Sequence, residues 1–161
     1  MSPREIASGY IRRGWCPVPV PFKAKGPVIP AWNELRLTLE NVEGFFNGQP
    51  ANIGVILGPP SGGLTDVDLD SREAVALADS FLPPTAACFG RRSKPRSHWL
   101  YRTKLSESED IAVVPFKDPT DGAMLVEIRI GGETGAQTVF PGSVHLTGSR
   151  CRSCRYWRRG P

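Results

Sequence analysis

The chain has 161 residues, of which 40% are hydrophobic and 22% charged, and its formal net charge is +4. This length allows one domain with a packed core but not two, and no apolar run reaches the length of a membrane span. Four scattered cysteines are too few for a disulfide scaffold, so we expect a cytoplasmic protein. The mildly basic balance favours an anionic partner such as nucleic acid or a nucleotide.

Helices are predicted at three places in the chain. The segment 2–5 (SPRE) has the pattern of a capping box with proline in the first turn, and Gly14 ends the apolar stripe that follows. Ser71 is placed to cap a helix that runs to about Phe81. A shorter helix is expected at 39–46, after a helical turn at 31–37.

Strands are predicted between these helices. The proline-rich stretch 15–20 is expected at a sheet edge, because proline cannot donate a backbone hydrogen bond. The segment 52–57 is followed by a glycine-rich turn, so we expect it to form a hairpin with the acidic strand 63–70. Further strands are expected at 86–89, 97–102, 111–114, 124–130 and 138–140. This order predicts an α+β fold, a single domain built on a mixed β-sheet with flanking helices.

The acidic strand, GLTDVDLD, carries an aspartate at every second position. In an extended strand Asp66, Asp68 and Asp70 share one face, and the residues between them share the other. Carboxylate oxygens are the ligands that Mg²⁺ prefers, so any two of the three could hold a divalent cation. The alternative is the exposed acidic face of an amphipathic strand, since short motifs often match by chance.

The segment 124–130, MLVEIRI, repeats this arrangement. Its valine and isoleucines share a face suited to the core, while Glu127 and Arg129 share the other face. If this strand neighbours the acidic strand, Glu127 can complete an oxygen cage with two of the aspartates. Otherwise Glu127 and Arg129 form an exposed ion pair, which contributes little to stability.

The segment 90–96 is predicted to be a basic loop that leads into a strand carrying His98. Arg96 offers a planar fork and Lys94 a point charge, and with their basic neighbours they could hold a triphosphate. The alternative is a solvated basic loop. The turn 58–63 lacks the Gly-Lys-Ser/Thr ending of a P-loop and precedes a strand, which excludes a Walker A site.

The segment 149–161 is predicted to be a basic tail that follows a folded domain at 1–148. Between 150 and 159 it holds five arginines interleaved with Tyr156 and Trp157, a composition that can bind single-stranded nucleic acid. Cys151 and Cys154 form only half of a zinc site, and His145 is a poor third ligand without a fourth. A frayed tail is therefore preferred to a zinc site.

Four segments in order resemble the N-terminal domain of bifunctional DNA primase/polymerases, the prim-pol branch of the archaeo-eukaryotic primase superfamily. They are RRGWCPVPVPFKAKGP, ANIGVILG with SGGLTDVDLD, GRRSKPRSHWLYR, and MLVEIRIGG with QTVFPGSVH. The resemblance covers nearly the whole chain. It implies a metal-dependent nucleotidyltransferase that acts in DNA replication and adds nucleotides to a 3′-hydroxyl under the direction of a template.

The resemblance also implies a set of catalytic residues. Counting from Gly63 and Leu64 places the paired acids of the family's first motif on Asp68 and Asp70, and the third acid falls on Glu127. These acids would hold two Mg²⁺ or Mn²⁺ ions, which activate a primer 3′-hydroxyl and stabilise the leaving pyrophosphate.

The same resemblance places the family's second-motif histidine on His98, which is expected to contact the phosphates of the incoming nucleotide. Lys94 and Arg96 precede it in the basic loop, and Arg129 is expected to face the same pocket. Asp66 lies outside the usual pair of acids, and it either tunes the site or faces water.

The chain departs from the family pattern in two places. Pro95 and Arg96 stand where many members have glycines, and LTGSRCRSCRYWRRGP follows His145 where Pro, Gly-Glu and Trp are expected. Members often continue into a helicase, so single-stranded or primed DNA, nucleoside triphosphates and a helicase are the expected partners. Two other functions remain open, namely a metal-dependent nuclease that uses the same acids and a non-catalytic remnant that binds nucleic acid.

Overall fold

The computed structural model describes residues 1–105 and 111–153 of the chain. Within these residues the helices are α1 (Pro3–Ile11), α2 (Val42–Phe45) and α3 (Arg72–Phe81), with 3₁₀ turns at Trp32–Glu34 and Pro59–Ser61. The strands are β1 (Cys16–Pro21), β2 (Ala51–Ile56), β3 (Leu64–Leu69), β4 (Cys88–Arg91), β5 (Lys94–Arg102), β6 (Val113–Lys117), β7 (Met124–Arg129), β8 (Gln137–Val139) and β9 (Cys151–Ser153).

The strands form two sheets. The smaller has the order β1-β2-β8, and the larger has the order β6-β7-β3-β5-β4-β9. The α+β class is confirmed, but the predicted single mixed sheet is replaced by two sheets in which each pairing of the described strands is antiparallel. The proline-rich β1 lies at a sheet edge, as predicted. No helix in the described ranges is both long and apolar enough to cross a membrane.

The predicted hairpin between 52–57 and the acidic strand is wrong. Strand β2 pairs with β1 and β8, whereas β3 pairs with β5 and β7. An isolated bridge between Gly58 and Leu64 joins the two segments. Gly58, Gly62 and Gly63 all have positive φ, which glycine adopts readily, and the turn they build passes the chain from one sheet to the other.

The helix boundaries follow the predicted caps at α1 and α3. Ser2 Oγ accepts a hydrogen bond from the backbone of Glu5, and the Glu5 carboxylate accepts one from the backbone of Ser2. Ser71 Oγ accepts from the backbone of Ala74, and α3 ends at Phe81 as expected. The predicted helix at 39–46 is reduced to the single turn of α2.

Apolar residues form one cluster on each face of the larger sheet. The first cluster joins α1, the smaller sheet and residues of β4 and β5, including Tyr10, Ile53 and Phe89. The second cluster lies beneath α3 and includes Leu69 and Trp99. Strand β3 alternates between the two faces, so its aspartates point away from α3 and toward the side of the smaller sheet.

The first residues of the predicted tail belong to the larger sheet. Strand β9 pairs with β4, with Cys151 opposite Arg91, and Cys151 packs against the first apolar cluster. A boundary after residue 148 would therefore separate β9 from its sheet. The tail residues Cys154, Tyr156 and Trp157 lie outside the described residues.

Candidate metal and nucleotide site

Three neighbouring strands bring three of the predicted site residues into one row. In the pairing of β3 with β7, Asp68 lies opposite Glu127. In the pairing of β3 with β5, the same Asp68 lies opposite His98. Directly opposite residues of paired strands have Cβ atoms about 5 Å apart. The central aspartate is therefore flanked by a carboxylate on one side and an imidazole on the other.

Asp68, Asp70 and Glu127 form a carboxylate cluster that could hold a metal ion. Each offers an oxygen, and the three oxygens lie within 4.8 Å of one another. Asp68 is only 6% exposed and Asp66 is fully buried, so an exposed acidic face is wrong for these two aspartates. Oxygen donors from carboxylates are the donor set of Mg²⁺ and Mn²⁺, and the residues present fit such an ion.

Two cationic side chains lie against this cluster. Arg129 Nη2 lies 2.7 Å from Asp68 Oδ2 and 2.6 Å from Glu127 Oε2, and Lys94 Nζ lies 2.9 Å from Asp70 Oδ1. Burial alone would lower the pKa of Arg129, but the charges of Asp68, Asp66 and Glu127 raise it. The pKa of Asp68 is raised by burial and by the neighbouring aspartates, against the effect of His98 and Arg129. Arg129 and Lys94 thus offset part of the negative charge of the carboxylate cluster.

The carboxylate cluster opens into a cavity of about 430 Å³, a size typical of small-molecule sites. Lys94, His98 and Arg129 also line it. Further cationic or titratable groups also line the cavity, namely Lys25, Arg91 and His145. This composition suits a ligand that carries several negative charges.

Arg96 is the predicted site residue that does not reach the cavity. The predicted basic loop is a hairpin in which Arg91 pairs with Lys94, and a bulge follows before Phe89 pairs with His98. Arg96 lies in this bulge with φ of 54°. Its side chain therefore does not share a face of the strand with Lys94 and His98, as it would in a regular strand. Its guanidinium instead pairs with Asp79 of α3 at 2.6 Å and stacks over the Trp99 ring at 4.7 Å.

Asp66 is the site residue whose role the sequence left open. Its Oδ2 accepts hydrogen bonds from His98 Nδ1 at 3.0 Å and from Thr138 Oγ1 at 2.7 Å. Burial would raise the pKa of Asp66, but His98, Arg129 and these hydrogen bonds lower it. For His98, burial acts to lower the pKa, but the charges of Asp66 and Asp68 and the hydrogen bond to Asp66 outweigh it, so the pKa is raised. Full burial excludes the alternative that Asp66 faces water.

Thr138 could not be assigned to the site from the sequence. It lies on β8 in the smaller sheet and is 1% exposed, yet its hydroxyl reaches Asp66 in the larger sheet. The sequence signal was weak because the segment 137–139 carries no acid or base, and contact between two sheets cannot be read from the alternation within one strand. The site therefore lies where the two sheets meet.

His145 and Cys151 line the cavity but do not extend the carboxylate cluster. Arg91 Nη1 lies 2.6 Å from His145 Nε2, and burial, with Arg91 and Lys25, lowers the pKa of His145. Burial raises the pKa of Cys151 to about 12, so this thiol stays protonated at neutral pH. Within the described residues, the group identified as able to hold a metal is Asp68, Asp70 and Glu127. The predicted half zinc site includes Cys154, which is outside those residues.

The fold and the site define a class of protein, an α+β domain with a cluster of carboxylates suited to a divalent cation beside cationic groups suited to phosphates. The family model for the bifunctional DNA primase/polymerase N-terminal domain (Prim-Pol) matches residues 7–159, and the chain belongs to this family. At the level of the family these domains are metal-dependent nucleotidyltransferases that act on DNA with nucleotides. A search of the curated proteins found no match.

Proposed function

We propose that this protein is a template-directed DNA primase/polymerase that transfers nucleotides from nucleoside triphosphates to a 3′-hydroxyl. The observation that carries the proposal is the convergence of Asp68, Asp70 and Glu127 within 4.8 Å, beside Lys94 and Arg129 in the same cavity. Phosphoryl transfer depends mainly on positioning and on stabilising negative charge, which is what acids for a metal and cations for phosphates supply.

Each group has a distinct task in this proposal. Asp68, Asp70 and Glu127 would hold two Mg²⁺ or Mn²⁺ ions, which when bound activate the hydroxyl nucleophile and stabilise the leaving pyrophosphate. Lys94 and Arg129 leave their carboxylate partners to bind the phosphates of the incoming nucleotide. His98 donates a hydrogen bond to the same phosphates. The DNA template binds mainly through its own phosphates, so binding weakens as salt rises.

Primer extension tests the proposal. The full chain is incubated with primed single-stranded DNA and labelled deoxynucleotides, with Mg²⁺ or Mn²⁺. We expect the wild-type protein to lengthen the primer, and Asp68→Asn and Glu127→Gln to reduce the rate by about 100-fold or more, since each removes a charged metal ligand. Glu43→Gln is the matched control, because Glu43 pairs with Arg4 on the surface, away from the cavity.

Two other outcomes would overturn the proposal. Shortening of the primer without added nucleotides would identify a metal-dependent nuclease. DNA binding with neither extension nor shortening, in the presence of either metal, would identify a non-catalytic nucleic-acid-binding domain. Unprimed DNA in a parallel reaction separates primer synthesis from extension.

A further inference from the structure

Asp66 is a buried carboxylate that belongs neither to the metal-binding cluster nor to the cavity wall. Its exposed fraction is 0%, and the cluster is supplied instead by Asp68 of the same strand, by Asp70, which directly follows the strand, and by Glu127. Its Oδ1 has no hydrogen-bond partner among the residues that the structure describes. Burying a carboxylate in this way costs stability. A strand position required only for packing would hold an apolar residue. The loss of stability from burying Asp66 therefore indicates that its carboxylate has a function.

We propose that Asp66 is a positioning residue that fixes the orientation of the His98 ring and, through Thr138, that of the Arg129 guanidinium. The proposal rests on the proposed function, because it assigns to Asp66 the arrangement of the two side chains that would bind the nucleotide phosphates. It does not require Asp66 to contact a metal ion or the nucleotide.

The ring of His98 is held on two sides. Phe89 stacks on it with ring centroids 4.5 Å apart and an interplanar angle of 15°, which fixes the plane of the ring. Nδ1 lies 3.0 Å from Asp66 Oδ2 and 3.6 Å from Asp68 Oδ1, so the hydrogen bond to Asp66 fixes the rotation within that plane. With Nδ1 committed to a carboxylate, Nε2 is the nitrogen left for a ligand in the cavity that His98 lines.

Thr138 extends the effect of Asp66 to Arg129. Thr138 Oγ1 donates its single proton to Asp66 Oδ2 at 2.7 Å, so the same oxygen can only accept from Arg129 Nη1, which lies 3.2 Å away. The donor direction therefore runs from Arg129 to Thr138 to Asp66, and from His98 to Asp66. The Asp66 carboxylate therefore determines which atom donates in each of these two hydrogen-bond chains. Residues that hydrogen-bond to the ligands of metal sites orient those ligands in the same way.

The test measures metal binding, nucleotide binding and the state of the His98 ring separately. In Asp66→Val we expect the affinity for Mn²⁺ alone to stay within about threefold of wild type, because the cluster is intact, and the Kd for dATP with Mn²⁺ to rise by about tenfold or more. In metal-free protein, the downfield proton signal of a hydrogen-bonded His98 Nδ1 should be present in wild type and absent in Asp66→Val.

A double-mutant cycle separates positioning from general damage. If Asp66 acts through His98, Asp66→Val and His98→Gln together should raise the Kd for dATP by much less than the product of the two single effects. Thr65→Val is the matched control, because Thr65 is a buried hydrogen-bonded neighbour on the same strand whose hydroxyl contacts Thr103 and not the site. This control should leave both the Kd for dATP and the His98 signal unchanged.

Several results would overturn the proposal. Loss of Mn²⁺ binding as severe as in Asp68→Asn would make Asp66 a metal ligand. Independent effects of Asp66→Val and His98→Gln on the Kd, or an unchanged His98 signal, would make it a structural residue. If Asp66→Val does not fold, Thr138→Val and Thr138→Ser replace it, and only the serine variant should retain wild-type nucleotide affinity. The His98 signal needs no catalysis, so it decides the positioning role even if primer extension fails.

Discussion

The guanidinium of Arg129 lies 2.7 Å from the carboxylate of Asp68, which places a fixed cation inside the cluster proposed to bind metal. The two residues come from neighbouring strands, and the same nitrogen also contacts Glu127 at 2.6 Å. In the metal-free protein, Arg129 therefore already offsets part of the repulsion among the carboxylates. In the proposed function, a metal ion entering the cluster would have to compete with Arg129, and the phosphates of the nucleotide would offer this side chain another partner.

We therefore expect Arg129→Gln to have opposite effects on metal and nucleotide. Without nucleotide, Mn²⁺ should bind more tightly than to wild type, by about tenfold, since a competing positive charge is removed. The KM for deoxynucleotides should rise, since a phosphate-binding group is lost. Titration of Mn²⁺ by electron paramagnetic resonance measures the first effect, and primer extension measures the second. Arg4→Gln, on the surface, is the control, and unchanged or weaker Mn²⁺ binding in Arg129→Gln would contradict this expectation.

Lys94 and Arg96 are expected to differ in their contributions, although the sequence predicts that both bind the nucleotide. Lys94→Gln should raise the KM for deoxynucleotides by about tenfold, because Lys94 lines the cavity beside Asp70. Arg96→Gln should leave that KM within about twofold, and lower the free energy of unfolding by about 1 kcal/mol, because its partners are Asp79 and Trp99. Steady-state primer extension and urea denaturation measure these effects. Equal rises in KM for both variants would show that Arg96 reaches the nucleotide.

The pairing of Asp66 with His98 should make stability depend on pH in the metal-free protein. The lowered pKa of Asp66 stabilises the fold above its usual value of 3.8, and this contribution is lost as the pH falls through the folded-state value. The raised pKa of His98 stabilises the fold below its usual value of 6.5, and this contribution is lost as the pH rises through the folded-state value. The pair of Asp66 and His98 therefore contributes most to the free energy of unfolding between pH 3.8 and pH 6.5.

Urea denaturation in the presence of a chelator tests this window. The free energy of unfolding of wild type should exceed that of His98→Gln most clearly near pH 6, and the difference should shrink as the pH rises through the raised folded-state pKa of His98. A difference that is constant or grows over this range would mean that His98 is neutral in the folded protein.

Gly90 is expected to be essential to the bulge of β5 that contains Arg96, because it lies on β4 opposite that bulge. A Cβ at this position would collide with the backbone of Lys94 and Arg96. Gly90→Ala should therefore lower the free energy of unfolding by about 2 kcal/mol or more. Gly9→Ala is the matched control, since a Cβ at Gly9 in α1 meets no atom within 4 Å and should be neutral or stabilising. If urea denaturation gives the two variants the same stability, the bulge can open without cost.

The sequence predicts the parts of this protein that depend on local patterns. The caps at Ser2 and Ser71 and the alternating faces of β3 are confirmed, because short-range sterics and hydrogen bonding determine them. The neighbouring positions of Glu127 and Asp68 were conditional on strand order, which the structure provides.

Features that depend on contacts between sheets or on an irregular strand could not be predicted. The hairpin of β2 with β3 fails because the glycine turn diverts the chain to a second sheet. The bulge in β5 turns Arg96 to the face of the sheet opposite the cavity. Counting alternate residues along the strand could not predict this change of face. The hydrogen bond from Thr138 to Asp66 joins residues 72 positions apart on different sheets. Such contacts follow from tertiary packing, which overrides strand-by-strand reasoning.

The alternation of acidic and apolar residues along β3 also constrains how the sheet can assemble. A slip of one residue against β5 or β7 would turn every side chain of β3 to the opposite face. Asp66 and Asp68 would then enter the apolar layer beneath α3, while Val67 and Leu69 would face the side of the cavity. Desolvating unpaired carboxylates costs several kcal/mol for each charge. These aspartates thus raise the free energy of sheets with the wrong strand register. A substitution that removes their charge would lower the energy of such misfolded sheets while leaving the native packing intact.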